Sequence, residues 1–138
     1  MAVSGILEQF LDYWYDLPRG EDGVLPPRAA LKPSSLHEML PRLALLKRLD
    51  RYNVTASMMC TEYDSQWRGP MMGMNAFDLT PANMRENTAE LYSAVLDQPA
   101  AALIRETIRR KNGKPADVVS LYLPLANRMG APTYIVGC

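Results

Sequence analysis

The sequence contains one histidine and two cysteines in 138 residues, and that scarcity removes most metal and nucleophile chemistry. A structural zinc takes about four Cys, His or carboxylate ligands. Cys60 and Cys138 lie far apart and form no C-x-x-C pair, so no metal is expected. The Cys–His nucleophile pair to consider is Cys60 with His37. Without a third orienting group these read as a buried small thiol and a surface histidine on a short helix. No G-x-G-x-x-G or Walker-type phosphate loop occurs. Catalytic residues are therefore not expected, and the chain does not read as an enzyme.

An excess of one charge is also missing. Fifteen basic residues balance fifteen acidic ones, whereas nucleic-acid binders concentrate positive charge to meet phosphates. The local cluster of Arg105, Arg109, Arg110, Lys111 and Lys114 is interrupted by Glu106 and Asp117. It reads as a solvated strand and turn, so no nucleic acid is expected. No apolar run reaches the roughly 18–20 residues of a membrane helix, so no membrane is expected either. Residues 1–5 lack the basic start and apolar middle of a signal peptide. Spacing leaves a Cys60–Cys138 disulfide open, but nothing suggests a secreted framework. The expected location is cytoplasmic.

What is present is ordinary for a folded soluble domain: 48% hydrophobic and 22% charged residues. Ile6, Leu7, Phe10, Leu11, Trp14 and Tyr15 recur at helical spacing, with Ser4 placed to cap. This wide apolar stripe either covers the chain's own sheet or pairs with a second copy through Leu7, Phe10, Leu11 and Trp14. A Pro- and Gly-rich loop follows, and a short helix through Leu36, Met39 and Leu40 stops at Pro41. The dense apolar run 43–49 predicts a buried strand, and the alternation from Tyr52 to Cys60 a half-buried one, joined as a hairpin around Asp50-Arg51. Residues 61–79 predict short helical turns. Thr80 and Pro81 then open a helix lined by Met84, Leu91, Tyr92 and Val95 and ended by Asp97-Gln98-Pro99. The last third predicts a meander: a strand from Ala102, a turn at Asn112-Gly113, a strand over 118–123 with Pro124 ending it or on an edge, and a strand over 133–136. The fold class is α+β, with five strands and helices gathered between the second and third.

Two strands, a helical middle and a three-strand meander are the element order of PAS domains. Local strings sharpen this: Tyr13-Trp14, Arg19-Gly20, Pro26-Pro27-Arg28, Leu31-x-Pro33 and Leu40-Pro41 ahead of the first strand, then Gly69 to Gly73, Pro99, Pro124-Leu125 and Ile135-Val136-Gly137. With these the sequence resembles a bacterial family of short, single-domain PAS-related proteins, over nearly the whole chain. Two positions depart from that pattern: Thr55-x-x-Met58 stands where an arginine and a glycine are expected, and the loop from Arg19 to Leu25 is slightly long.

The resemblance implies a PAS-like five-stranded antiparallel sheet over 42–138, with residues 1–41 as N-terminal helix and extended lead-in. It implies sensing or protein interaction and no catalytic residues. Output is expected to pass through another polypeptide, and the stripe of the first helix makes a protein partner or homodimer the expected assembly. It names no ligand. Flavin photosensors of this fold carry a reactive cysteine in an Asn-Cys-Arg-Phe string, and neither cysteine here sits in one. Haem-binding relatives usually need a histidine on the long helix, and residues 80–96 contain none. Met84 remains as an axial ligand, although a methionine on a helix face is more often core. No cofactor is therefore expected. The unusual feature is methionine: Met58, Met59, Met71, Met72 and Met74 crowd the second strand and helical middle near Tyr63, Trp67 and Phe77. Methionine adapts to different apolar shapes. With Cys60 and Tyr92, this segment either walls a pocket for a small apolar or aromatic ligand or fills gaps in an irregular core.

Overall fold

The computed structural model describes residues 5–19, 25–32, 43–59, 73–109 and 113–137. Helix α1 spans Gly5–Asp16. Strands β1 (Ala44–Asp50) and β2 (Asn53–Met59) form an antiparallel hairpin. A 3-10 turn over Ala76–Leu79 and another over Ala82–Met84 lead into helix α2, Arg85–Asp97. Strands β3 (Ala102–Arg109), β4 (Pro115–Ala126) and β5 (Pro132–Gly137) complete one antiparallel sheet of order β2-β1-β5-β4-β3. Expectations for Ser4, the short helix before Pro41, Cys60, residues 61–72 and Asn112 lie outside the described residues.

Period two divides the sheet into two faces. Leu45, Leu121, Leu123, Leu125 and Val136 point one way, where Leu7, Phe10 and Trp14 of α1 cover them. Val54 and Ile135 point the other way and pack with Phe77, Ala89, Tyr92, Val95 and Leu96. The sheet is the middle layer between α1 and the helical middle.

The N-terminal region completes an edge that β3 leaves short. The ladder between β3 and β4 ends at Ala102 opposite Tyr122. In an antiparallel strand the N–H and C=O of one residue point to the same side, and alternate residues share that side. Beyond Tyr122 the next such positions are Pro124 and Ala126. The Trp14 indole N–H donates to the Pro124 carbonyl at 2.9 Å, and the Ala126 N–H donates to the Pro26 carbonyl at 2.9 Å. Pro27 forms a parallel bridge with Ala126. A proline is thus accommodated within a strand, because no neighbouring strand needs its missing N–H. This extends the fourth strand through Pro124, where the sequence suggested an end or an edge.

Two further boundaries moved. The hairpin turn is Arg51-Tyr52, one residue later than expected, with Asp50 pairing with Asn53. Thr80 does not cap the long helix: its hydroxyl donates to the Ala76 carbonyl at 2.9 Å and closes the preceding turn. Pro81 has ψ 143 and lies outside the helix. Met84, expected on the packed side, is 45% exposed.

Candidate functional site

The inner face of the sheet, beneath α2 and the Ala76–Leu79 turn, is built around a line of aromatic rings. Phe77 is fully buried and meets Tyr92 edge-on at 5.8 Å. Tyr92 stacks on Tyr122 at 6.4 Å, and Tyr52 meets Phe77 from the open end at 5.6 Å. Such offset and edge-on pairs are the favoured arrangements of ring quadrupoles. Gly137 on β5 makes room for this line. A Cβ there would stand 3.1 Å from the Tyr122 ring, so the tyrosine lies flat across a strand position without a side chain.

Asn75 anchors the helical middle to the sheet. Its side-chain carbonyl accepts the N–H groups of Val54 and Phe77, each at 3.1 Å, and its amide donates to the Tyr52 carbonyl at 3.0 Å. The Ala56 N–H donates to the Met74 carbonyl at 3.0 Å, and the Gly73 N–H to the Ala56 carbonyl at 2.7 Å. Residues 73–75 therefore cover the edge of β2, satisfying groups that would otherwise template aggregation.

Ion pairs hold both ends of α2. Arg48 makes a two-point contact with Asp97 at 2.6 and 3.1 Å. Near the other end, Arg51 and the Tyr52 hydroxyl each donate to Glu86 at 2.6 Å. The Tyr52 and Arg51 hydrogen bonds hold the Glu86 carboxyl below its usual range, and the Arg48 hydrogen bonds do the same for Asp97. Glu86 also lies in the first turn of the helix, where the backbone dipole favours a negative charge.

Ser120 is the buried polar side chain of the described core, at 2% exposure. Alternation with Leu121 and Leu123 places it on the inner face. It is one pleat repeat, about 6.6 Å, along β4 from Tyr122. Among the described residues no hydrogen bond reaches its hydroxyl. An unpaired buried hydroxyl costs about 1–3 kcal/mol.

Of the expected pocket residues, Phe77 and Tyr92 come together here. Met58 lies in β2 opposite Leu45. Met74 stands at the rim, 39% exposed. Cys60, Tyr63, Trp67, Met71 and Met72 lie outside the described residues. Sequence reasoning missed Ser120, Tyr122 and Asn75. The leucines at 121, 123 and 125 did mark one face of β4, and by elimination put 120 and 122 on the other. The first helix resolves its own ambiguity: Leu7, Phe10 and Trp14 are buried against the chain's own sheet, and Leu11 is half-buried.

Among the described residues no cluster of His, Cys, Asp and Glu could hold a metal, and no helix is long and apolar enough to cross a membrane.

A five-stranded antiparallel sheet of this order, with a helical middle over one face, is the PAS-type sensory fold. The PAS domain family model matches residues 3–138, and the chain belongs to that family. PAS domains are generally sensory rather than catalytic, and commonly bind ligands or partner proteins. Among solved structures, the photo-excited blue-light photoreceptor Vivid is similar at 17% identity and TM-score 0.54, covering 95% of this chain and 91% of that one. An RNA-binding light-oxygen-voltage receptor is similar at 16% identity and TM-score 0.56, with 88% and 34% covered. A variant of RsLOV matches at 20% identity and TM-score 0.49, with 72% and 61% covered. The chain thus spans less than two thirds of the latter two proteins. At these identities the likeness is one of fold. A search of curated proteins finds no significant match.

Proposed function

We propose that this protein is a sensory or regulatory PAS domain whose inner face binds a small apolar or aromatic ligand and signals through another polypeptide. The observation that carries this reading is the Ser120 hydroxyl: buried, unpaired among the described residues, and beside the Tyr122–Tyr92–Phe77 line. A fold optimised only for stability would place an apolar side chain there, because alanine removes the desolvation cost. A planar ligand lying against the rings and offering one hydrogen-bonding atom would satisfy that hydroxyl. The adaptable methionines of the segment 58–74 would shape the remaining wall. The role is regulatory rather than catalytic, and the expected setting is cytoplasmic.

Native mass spectrometry of the purified full chain, together with melting across a panel of aromatic metabolites, tests the reading. The expected result is one small molecule per chain, or one compound raising Tm with saturation, with the effect at least about tenfold weaker in Ser120→Ala. No bound mass together with an unmoved Tm across the panel would sink the ligand reading. In that case a ligand-free interaction module remains.

A further inference from the structure

A second concave site lies on the opposite, outer face. The turn between β4 and β5 is fixed by Asn127, whose side-chain oxygen accepts the Met129 and Ala131 N–H groups at 2.9 and 3.0 Å. Its backbone N–H donates to the Ala131 carbonyl at 2.9 Å. Gly130 supplies the positive φ of 82 that closes the turn. This stiff turn carries Met129 at its tip, 89% exposed. Across from it, the lead-in held to Ala126 presents Pro27, Arg28 and Ala29. The cleft between them has a volume of about 550 Å³ and is floored by the half-buried Tyr134 ring.

Among the described residues its charge is of one sign. Arg28 and Arg128 both line the cleft, no carboxylate does so among the described residues, and neither arginine has an ion-pair partner there. Lys47 lies over the Tyr134 ring at 5.9 Å and adds a third cation nearby. Arg48 and Arg51, by contrast, are paired with Asp97 and Glu86. In a chain of zero net charge, guanidinium groups unpaired among the described residues and gathered around an exposed methionine and an aromatic floor make a surface with two complementary demands. Guanidinium binds carboxylates through a fork of donors. Methionine and tyrosine offer a flexible apolar contact. A bare inorganic anion would meet the first demand and leave Met129 in water.

We propose that this cleft docks an acidic peptide segment of a partner protein, its carboxylates on Arg28 and Arg128 and an apolar side chain against Met129 and Tyr134. The site lies on the other side of the sheet from Ser120, so it stands or falls independently of the inner-face ligand.

Amide chemical-shift mapping of the full chain with a synthetic octapeptide of alternating glutamate and leucine tests it. Saturable shifts are expected at residues 28, 29, 127–129 and 134, with binding weakened several-fold when salt rises from about 50 to about 300 mM. Arg28→Glu with Arg128→Glu should weaken binding by at least about tenfold, with the dispersed spectrum showing that the fold survives. Met129→Ser should weaken it about threefold or more. No saturable shift at these residues overturns the proposal, as does equal binding of a lysine–leucine peptide. Unchanged affinity in the double arginine variant does the same. An unmoved affinity in Met129→Ser reduces the site to an anion site and overturns the peptide assignment. Equal binding of oligothymidylate at the same residues would assign the cleft to nucleic acid instead.

Discussion

The two faces of the sheet bury apolar surface by different means. On the outer face, leucines from β1 and β4 meet Leu7, Phe10 and Trp14 of α1, and a buried polar contact, the Trp14 N–H to the Pro124 carbonyl, is paired. The inner face relies on Phe77, Tyr92 and Tyr122 rings, side-chain bonds from Asn75, ion pairs at both ends of α2, and the Ser120 hydroxyl, unpaired among the described residues. A layer of interlocking apolar side chains has little reason to open. A layer fastened by polar contacts at its rim, with an unsatisfied group inside, has local parts that can exchange partners. Under the proposed function the outer face is scaffold and the inner face sensor.

The sharpest way to break that contrast is to cut the scaffold. Phe10→Ala removes a fully buried ring from the outer layer and should cost about 3–5 kcal/mol by urea unfolding. A loss below about 1 kcal/mol would show that α1 is loosely docked and that its stripe is free for other uses. Next in size, Asn75→Ala leaves the Val54 and Phe77 N–H groups without their acceptor. About 2 kcal/mol should be lost, with amide exchange at Val54 rising before that at Leu123.

A smaller effect with the opposite sign is expected at Ser120. Without ligand, Ser120→Ala should leave stability unchanged or raise it by up to about 1 kcal/mol, because the alanine carries no hydroxyl to desolvate. A loss of about 1 kcal/mol or more would mean that the hydroxyl is paired, and the inner face would then match the outer one.

The smallest expected effect is that of the Arg48–Asp97 pair, whose carboxylate side is 55% exposed. Because the folded pKa of Asp97 lies below its ordinary 3.8, its contribution is fully present above that value. It is lost as pH falls through the lower folded value. Asp97→Asn should therefore reduce stability by only a few tenths of a kcal/mol at neutral pH. The difference from the parent chain should vanish in strong acid, as read from unfolding curves at several pH values.

How much of this was legible beforehand depends on how local the cause is. The alternation in β2 and the leucines of β4 encode faces directly, so strand number and order of elements followed from pattern alone. The strings Tyr13-Trp14, Arg19 and Pro26-Pro27 were visible as a family likeness, but their purpose was not. Trp14 reaches Pro124 across most of the chain, Arg19 donates to the Trp14 and Leu17 carbonyls at 2.9 and 2.8 Å, and the Lys32 N–H donates to the Tyr13 hydroxyl at 3.1 Å. They are the joints that fasten α1 and the lead-in to the sheet. Thr80 was misread as a helix cap because Thr-Pro is a good local start signal. The turn before it offered its hydroxyl a closer acceptor.

By itself, the sequence determined the class of fold and the two-faced strands, because periodicity is a local property. Only the tertiary structure decided that the apolar stripe of the first helix covers its own sheet, since a stripe specifies a need for burial and not the surface that meets it. It also brought together Ser120 and Tyr122 on the inner face and Arg28 and Arg128 around the outer cleft. An unpaired hydroxyl or arginine is defined by what fails to reach it, and that depends on residues distant in the chain.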